Sequence, residues 1–251
     1  MKKESRRSFV RKTAAITSGV LATNVAFQSF ANVNENKKLK LAVVGCGGRG
    51  SGAVVQALNA DDNVELISMA DAFRDRIDSS LKGIQDHFGD SKKIKIKEKN
   101  IFTGFDSYKK AIDLCDVVIL TTPPGFRPLH FEYAVNNGKH IFMEKPVATD
   151  ASGVRRVLES AKKAKENNLN VVVGLQRHYQ NKYLHLHDKV SRDEIGKIVS
   201  GQVYWNDGGV WVNSRKPEQS ELEYQMRNWY YFTWICGDHI LEQHIHNIDV
   251  A

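Results

Sequence analysis

The chain has 251 residues, three cysteines and a formal net charge of +7. Residues 1–31 carry six basic side chains against Glu4, five of those seven charges, so the remainder is near +2 and gives no argument for nucleic acid. Cys46, Cys115 and Cys236 are an odd set without metal-ligand spacing, which argues against a disulfide framework and reads as buried thiols.

The first 31 residues are read apart from the fold. Arg6 and Arg7 form a twin-arginine pair. Thr13 to Phe27 is apolar and uncharged, and Ser29-Phe30-Ala31 has the small-x-small pattern of a cleavage site. That order describes a twin-arginine (Tat) signal peptide, and it predicts export to the periplasm through the Tat machinery. The apolar run is about fifteen residues long and rich in Thr, Ser and Ala, short of the ~20 that span a bilayer. A membrane anchor retained by an uncleaved signal is the alternative. A short linker, 32–37, follows.

From Lys38 the pattern alternates. Strands are predicted at 38–45, 64–71, 116–124, 139–146 and 170–176, with a weaker one at 100–105. Helical segments lie between them. The clearest covers 151–168, with Val154, Val157, Leu158, Ala161 and Ala164 on one face and Asp150 or Ser152 as N-cap. The Lys-rich 91–100 reads as a solvated loop or edge. Strands alternating with helices predict an α/β fold, a Rossmann-type doubly wound parallel sheet over 38–178. Residues 179–251 read as the start of a second α+β domain. A helical pattern covers 182–196, a strand is predicted at 197–206, and all four tryptophans fall between 205 and 234.

After the first strand, "VVGCGGRG" sets Gly45, Gly47 and Gly50 in G-x-G-x-x-G spacing, with Gly48 and Arg49 in the same turn. The three glycines serve a tight turn, close backbone approach to a pyrophosphate, and helix–strand packing. The diphosphate then rests on the next helix N-terminus. Asp71 ends the second strand, 21 residues after Gly50, where a carboxylate accepts from a ribose 2′-OH. That favours NAD over NADP, while Arg74 and Arg76 are placed to meet a 2′-phosphate. A glycine turn without ligand is the plainer alternative.

"TTPPGFRPLHFEYAVNNGKHIFMEKPVATD", with the glycine loop and the closing "EQHIHNID", resembles the glucose–fructose oxidoreductase / inositol dehydrogenase / MocA family. The resemblance runs from about Leu39 to Ala251. It implies a two-domain NAD(P)-dependent oxidoreductase acting on sugars, polyols and related compounds. In exported members it implies a tightly held nucleotide. It adds Thr122, Pro123 and Glu144 to the cofactor contacts and sets Lys145 at the nicotinamide. A lysine suits that place, since its cation stabilises a developing alkoxide. Arg127 stands where many members have His after the "PP", which assigns it a nicotinamide or substrate contact. His130, one turn on, reads as ordinary.

The family's third motif, D-x-G-x-H-x-x-D, falls on Glu242, His244, His246 and Asp249. On an α-helix Glu242 and Asp249 would flank His246, fix its tautomer and raise its basicity. His246 is thus the first candidate for the acid–base, ahead of Lys145. A metal set of His239, Glu242 and His246 is the rival, and a polar interface helix the plain reading; hydride transfer needs no metal. The tryptophans suit either carbohydrate stacking, with Trp205 at the substrate, or a core or interface. Arg177 and His178 end the last Rossmann strand and would face a cleft.

The expected function is therefore hydride transfer between nicotinamide and a carbinol carbon of a carbohydrate or polyol. Two alternatives stand beside it: an NAD-dependent glycosidase working by oxidation, elimination, addition and reduction, and a non-enzymatic dinucleotide-binding module. The chain ends inside a helical pattern, and the resemblance implies that a further C-terminal sheet would complete the second domain and a homo-oligomer interface.

Overall fold

The computed structural model describes residues 38–251; the Tat signal and the linker lie outside the described residues. Leu39–Ala251 form one compact unit. Its frame is β1 (Leu39–Val44), α1 (Gly48–Ala60), β2 (Val64–Asp71), α2 (Arg74–Phe88), β3 (Ile101–Thr103), α3 (Ser107–Leu114), β4 (Val117–Leu120), α4 (Arg127–Asn136), β5 (His140–Met143), α5 (Ala151–Glu166) and β6 (Val171–Val173). The strands form one parallel sheet in the order β3-β2-β1-β4-β5-β6. The chain reverses direction across the sheet between β1 and β4, and ligands of such sheets bind at the carboxyl ends of those strands.

The alternation of side chains along β1 explains the three layers. Ala42 and Val44 pack into one core with Ile112, Phe131 and Val157, under α3, α4 and α5. Leu41 and Val43 point the other way, into a core with Val54, Leu58, Ile77 and Ile84 from α1 and α2. The three cysteines are free and buried. α5 is capped by Asp150, whose carboxylate accepts from the Gly153 amide at 2.6 Å.

Beyond β6 the regular structure thins. α6 (Asn181–Ser191), α7 (Glu221–Arg227), α8 (Thr233–Cys236), a π-turn at Ile240–His244 and α9 (Ile245–Ile248) are joined by irregular chain. The expected strand at 197–206 does not form. A strand exists through its ladder partner, and no described segment pairs with this one. The closing stretch is π-wound over one turn rather than α-helical throughout, which shifts the facing of its side chains. No described helix is long and apolar enough to cross a membrane.

Candidate functional site

The glycine loop is fixed by close backbone approach. Gly45 has φ +99°, and a Cβ there would stand 2.5 Å from the Thr122 nitrogen. A Cβ on Gly50 would stand 2.0 Å from the Gly45 carbonyl oxygen. Gly47 and Gly48 differ: a Cβ on either would meet nothing within 4 Å. Their space opens into a cavity of about 600 Å³ bounded by Gly45, Gly47, Gly48, Arg49, Gly50, Asp71, Thr122 and Pro123. Gly47 is the N-cap of α1 and provides no side chain to occupy the first-turn amides. These amides and the helix dipole make an anion seat. An open cradle beside a helix N-terminus, with a carboxylate across it, fits a dinucleotide.

Asp71 is oriented by two backbone donors: Cys46 N to Oδ2 at 2.7 Å and Phe73 N to Oδ1 at 3.0 Å. Burial holds its pKa above the usual carboxylate value, against those hydrogen bonds. Arg74 does not reach the cavity. It is drawn away to Asp78 at 2.8 Å and Glu98 at 2.5 Å, and Arg76 lines the wall instead. The expected cofactor contact at Arg74 is thus replaced by one at its neighbour but one.

A second cluster lies outside the cavity's lining. Lys145 Nζ donates to the Glu242 carbonyl oxygen and, at 3.3 Å, to Glu242 Oε2. Glu242 is buried and its Oε1 has no hydrogen-bond partner. Burial raises its pKa, with Lys145 opposing. His246 is buried beside the Trp205 ring, centroids 5.7 Å apart. Arg49 links the clusters through a 2.6 Å bond from Nε to Glu144 Oε1. Gly174 leaves room for that carboxylate, since a Cβ there would stand 2.7 Å from Glu144 Oε2.

Several expectations change. His246 is not made more basic by flanking carboxylates: Glu242 faces Lys145, and Asp249 pairs with His178 Nε2 at 3.0 Å. Its pKa is lowered by burial first, then by Lys145 and Arg177, with Asp249 and Glu144 opposing. The imidazole is therefore held neutral, a form that can accept a proton. Arg127 is no substrate contact. It is fully buried and donates to the carbonyls of Leu120 at 2.6 Å, Thr122 at 2.8 Å and Pro146 at 3.3 Å. Burial lowers its pKa to about 10. It thereby ties the end of β4 to the Lys145-Pro146 loop. Arg177 is likewise a strut, donating to the His246 carbonyl at 2.9 Å and to Asn247 Oδ1. His178 is more than half exposed. His239, Glu242 and His246 do not converge into a metal-holding group, nor does any other set of three among the described residues.

His130, read as ordinary, lines the cavity. Its Nδ1 lies 3.2 Å from Thr122 Oγ1, and its ring packs 4.2 Å from that of Tyr108. Burial lowers its pKa to about 3, so it stays neutral. Its i+3 spacing from Arg127 at the start of α4 is the signal that could have marked it. The tryptophans divide: Trp205 stands at His246, Trp211 and Trp229 line the nucleotide cavity, and Trp234 is half exposed.

Residues 39–175 match the model of an oxidoreductase family described as having an NAD-binding Rossmann fold. A glycosyl hydrolase family 109 protein of Shewanella sp. (strain W3-18-1) is 22% identical, the alignment covering 89% of this chain and 49% of that one. An inositol 2-dehydrogenase of Salmonella paratyphi B is 29% identical over 66% of this chain and 46% of its own. The solved apo scyllo-inositol dehydrogenase from Lactobacillus casei is 20% identical, covers 85% of this chain and 54% of that one, and superposes with a TM-score of 0.56. The chain spans about half the length of the curated relatives it matches.

Proposed function

Because the chain belongs to the oxidoreductase family with the NAD-binding Rossmann fold, we propose that it serves an NAD-dependent dehydrogenase of polyols or sugars. The observation that carries this reading is the cluster of part-buried Lys145 with buried Glu242 and His246, joined through Glu144 and Arg49 to the dinucleotide cradle. Bound nicotinamide would supply the hydride acceptor or donor.

The chain's own residues would bind and deprotonate the carbinol. Lys145 has three donors and directs two at Glu242, leaving one for a substrate oxygen. Its positive charge there stabilises a developing alkoxide. His246, held neutral, takes the hydroxyl proton on its ring. Glu242 Oε1 and Trp205 Nε1 are buried without partners. An acceptor and a donor left open in one region suit neighbouring hydroxyls of a polyol, because unpaired buried polar groups otherwise cost about 1–3 kcal/mol each. Residues 179–251 would belong to the substrate domain. Arg6-Arg7 and the cleavage pattern support export, and a tightly held nucleotide would suit a compartment without a dinucleotide pool.

The glycosidase reading keeps support from the family 109 relative, whose alignment reaches across most of this chain. One assay separates the two. Purified protein is given NAD and a panel of inositols, sugars and aryl glycosides, with reduced nucleotide and released aglycone followed together. Reduced nucleotide accumulating with a polyol or free sugar is the expected result. Aglycone release without net nucleotide reduction would transfer the site to the glycosidase reading, and neither signal across the panel would count against both.

A further inference from the structure

The cavity that the glycine loop opens has a roof from far along the chain. Trp211, Asn213, Arg227 and Trp229 line it together with Gly47 and Asp71. Two stretches build this roof, and reciprocal amides join them. Asn213 N donates to Asn228 Oδ1 at 2.7 Å, Asn228 Nδ2 donates to the Asn213 carbonyl at 3.0 Å, and Asn213 Nδ2 donates to the Arg227 carbonyl at 2.7 Å. Trp211 packs edge-on against Trp229 at 5.9 Å and Tyr230 at 5.3 Å. Asn228 is 2% exposed, so the join is a built feature of the interior.

One side chain fastens the roof to the sheet side. Arg227 Nη1 and Nη2 grip Asp75 Oδ2 and Oδ1 at 2.9 and 3.1 Å, a two-pronged pair across 152 residues of sequence. The same guanidinium lies 4.2 Å from the Phe73 ring centroid, and its Nε is held by Glu223 at 2.8 Å. Phe73 is two residues past Asp71, and its amide is one of the two that orient the Asp71 carboxylate. Asp75 lies in the first turn of α2. The latch therefore closes over the end of the cavity assigned to the ribose.

We propose that residues 211–229 form a strap across the dinucleotide site, latched by Arg227 on Asp75 and Phe73, and that release of the bound nucleotide requires the latch to open. This rests on the dinucleotide reading above. Paired guanidinium–carboxylate bonds and ring stacking act together in the closed state. The strap residues bound the cofactor site while lying outside the Rossmann sheet, and Arg227 is a positioning residue for it.

The test is the dissociation rate of NADH from the full chain, followed by its fluorescence after mixing with excess unlabelled NAD. Asp75→Asn should speed release by about two- to fivefold, the range for a charge pair with one exposed partner, and Arg227→Met by more, since it also loses the Phe73 contact. Asp75→Glu, which keeps the carboxylate, should release NADH more slowly than Asp75→Asn. Added salt should speed release from the wild type more than from Arg227→Met, because the variant keeps the screened attraction of the diphosphate to its seat and lacks the screened pair. Asp75 is largely exposed, so Asp75→Asn tests the latch even where Arg227→Met fails to fold. Unchanged release in Asp75→Asn would overturn the latch, as would equal acceleration in Asp75→Glu. Absence of NADH binding by folded wild type would overturn the latch together with the dinucleotide reading, whereas binding with unaltered release in the variants would overturn the latch alone.

Discussion

The His246→Ala protein is expected to turn over about 10²- to 10⁴-fold more slowly than the wild type, the usual range for a lost general base, while binding NAD as before. The imidazole stands in the Lys145–Glu242 cluster and outside the walls of the nucleotide cavity, so its loss removes the proton acceptor and leaves the cradle intact. The pH profile supplies a second readout. Oxidation needs the neutral ring, and burial with Lys145 and Arg177 nearby holds its pKa below the ordinary 6.5. The acid limb of the wild-type rate should therefore fall below pH 6.5, and it should be missing from the residual activity of His246→Ala. Turnover unchanged by the substitution would remove His246 from the mechanism.

The glycine loop gives the second large effect, as a contrast between two positions. In Gly50→Ala the new Cβ would sit 2.0 Å from the Gly45 carbonyl oxygen and 2.8 Å from Thr121 Oγ1. The loop cannot give way easily. Gly45 N is bonded to the Ala70 carbonyl at 2.8 Å, and Thr121 Oγ1 donates to the Gly45 carbonyl at 2.6 Å. A loss of about 3 kcal/mol in unfolding free energy is expected, at the upper end for overpacking. Gly47→Ala puts its Cβ into open space, and the Gly47 backbone at φ −74° suits alanine. Its stability should stay within about 0.5 kcal/mol of wild type, while NAD affinity falls because the methyl fills the cradle. Urea unfolding and NAD titration of both variants separate a glycine kept for folding from one kept for a ligand. Equal stability losses at the two positions would contradict that division.

The sheet, the glycine loop, Asp71 and the Glu144-Lys145 turn were legible because each is written in a few neighbouring residues whose spacing carries the geometry. Arg127 was not. Its place after the paired prolines, where the resemblance sets a His, implies a ligand contact, and only the fold shows three carbonyls closing around it. His246 stands near Lys145, but in other surroundings than the sequence pattern implies. The α-helical register placed Glu242 and Asp249 against it, and the π-turn at Ile240–His244 removes that register before His246 is reached. The strand expected at 197–206 had the composition of a strand and no ladder partner among the described residues. The roof over the cavity was invisible for a different reason. Arg227 and Asp75 carry no local pattern, and their pairing across 152 residues exists only after both segments have folded.

A nicotinamide dinucleotide held by Gly47, Gly48 and Asp71 is open to a plain test, equilibrium titration of the folded chain with NAD and with NADP. One NAD per chain is expected, with NADP weaker by at least about tenfold, since the Asp71 carboxylate accepts from a 2′-OH and repels a 2′-phosphate. Nucleotide already present in the purified protein, released by denaturation and weighed by mass spectrometry, would count as the same result if it is NAD or NADH. Tighter binding of NADP would contradict the role of Asp71, and a folded chain that neither carries nor binds either nucleotide would contradict the dinucleotide site itself.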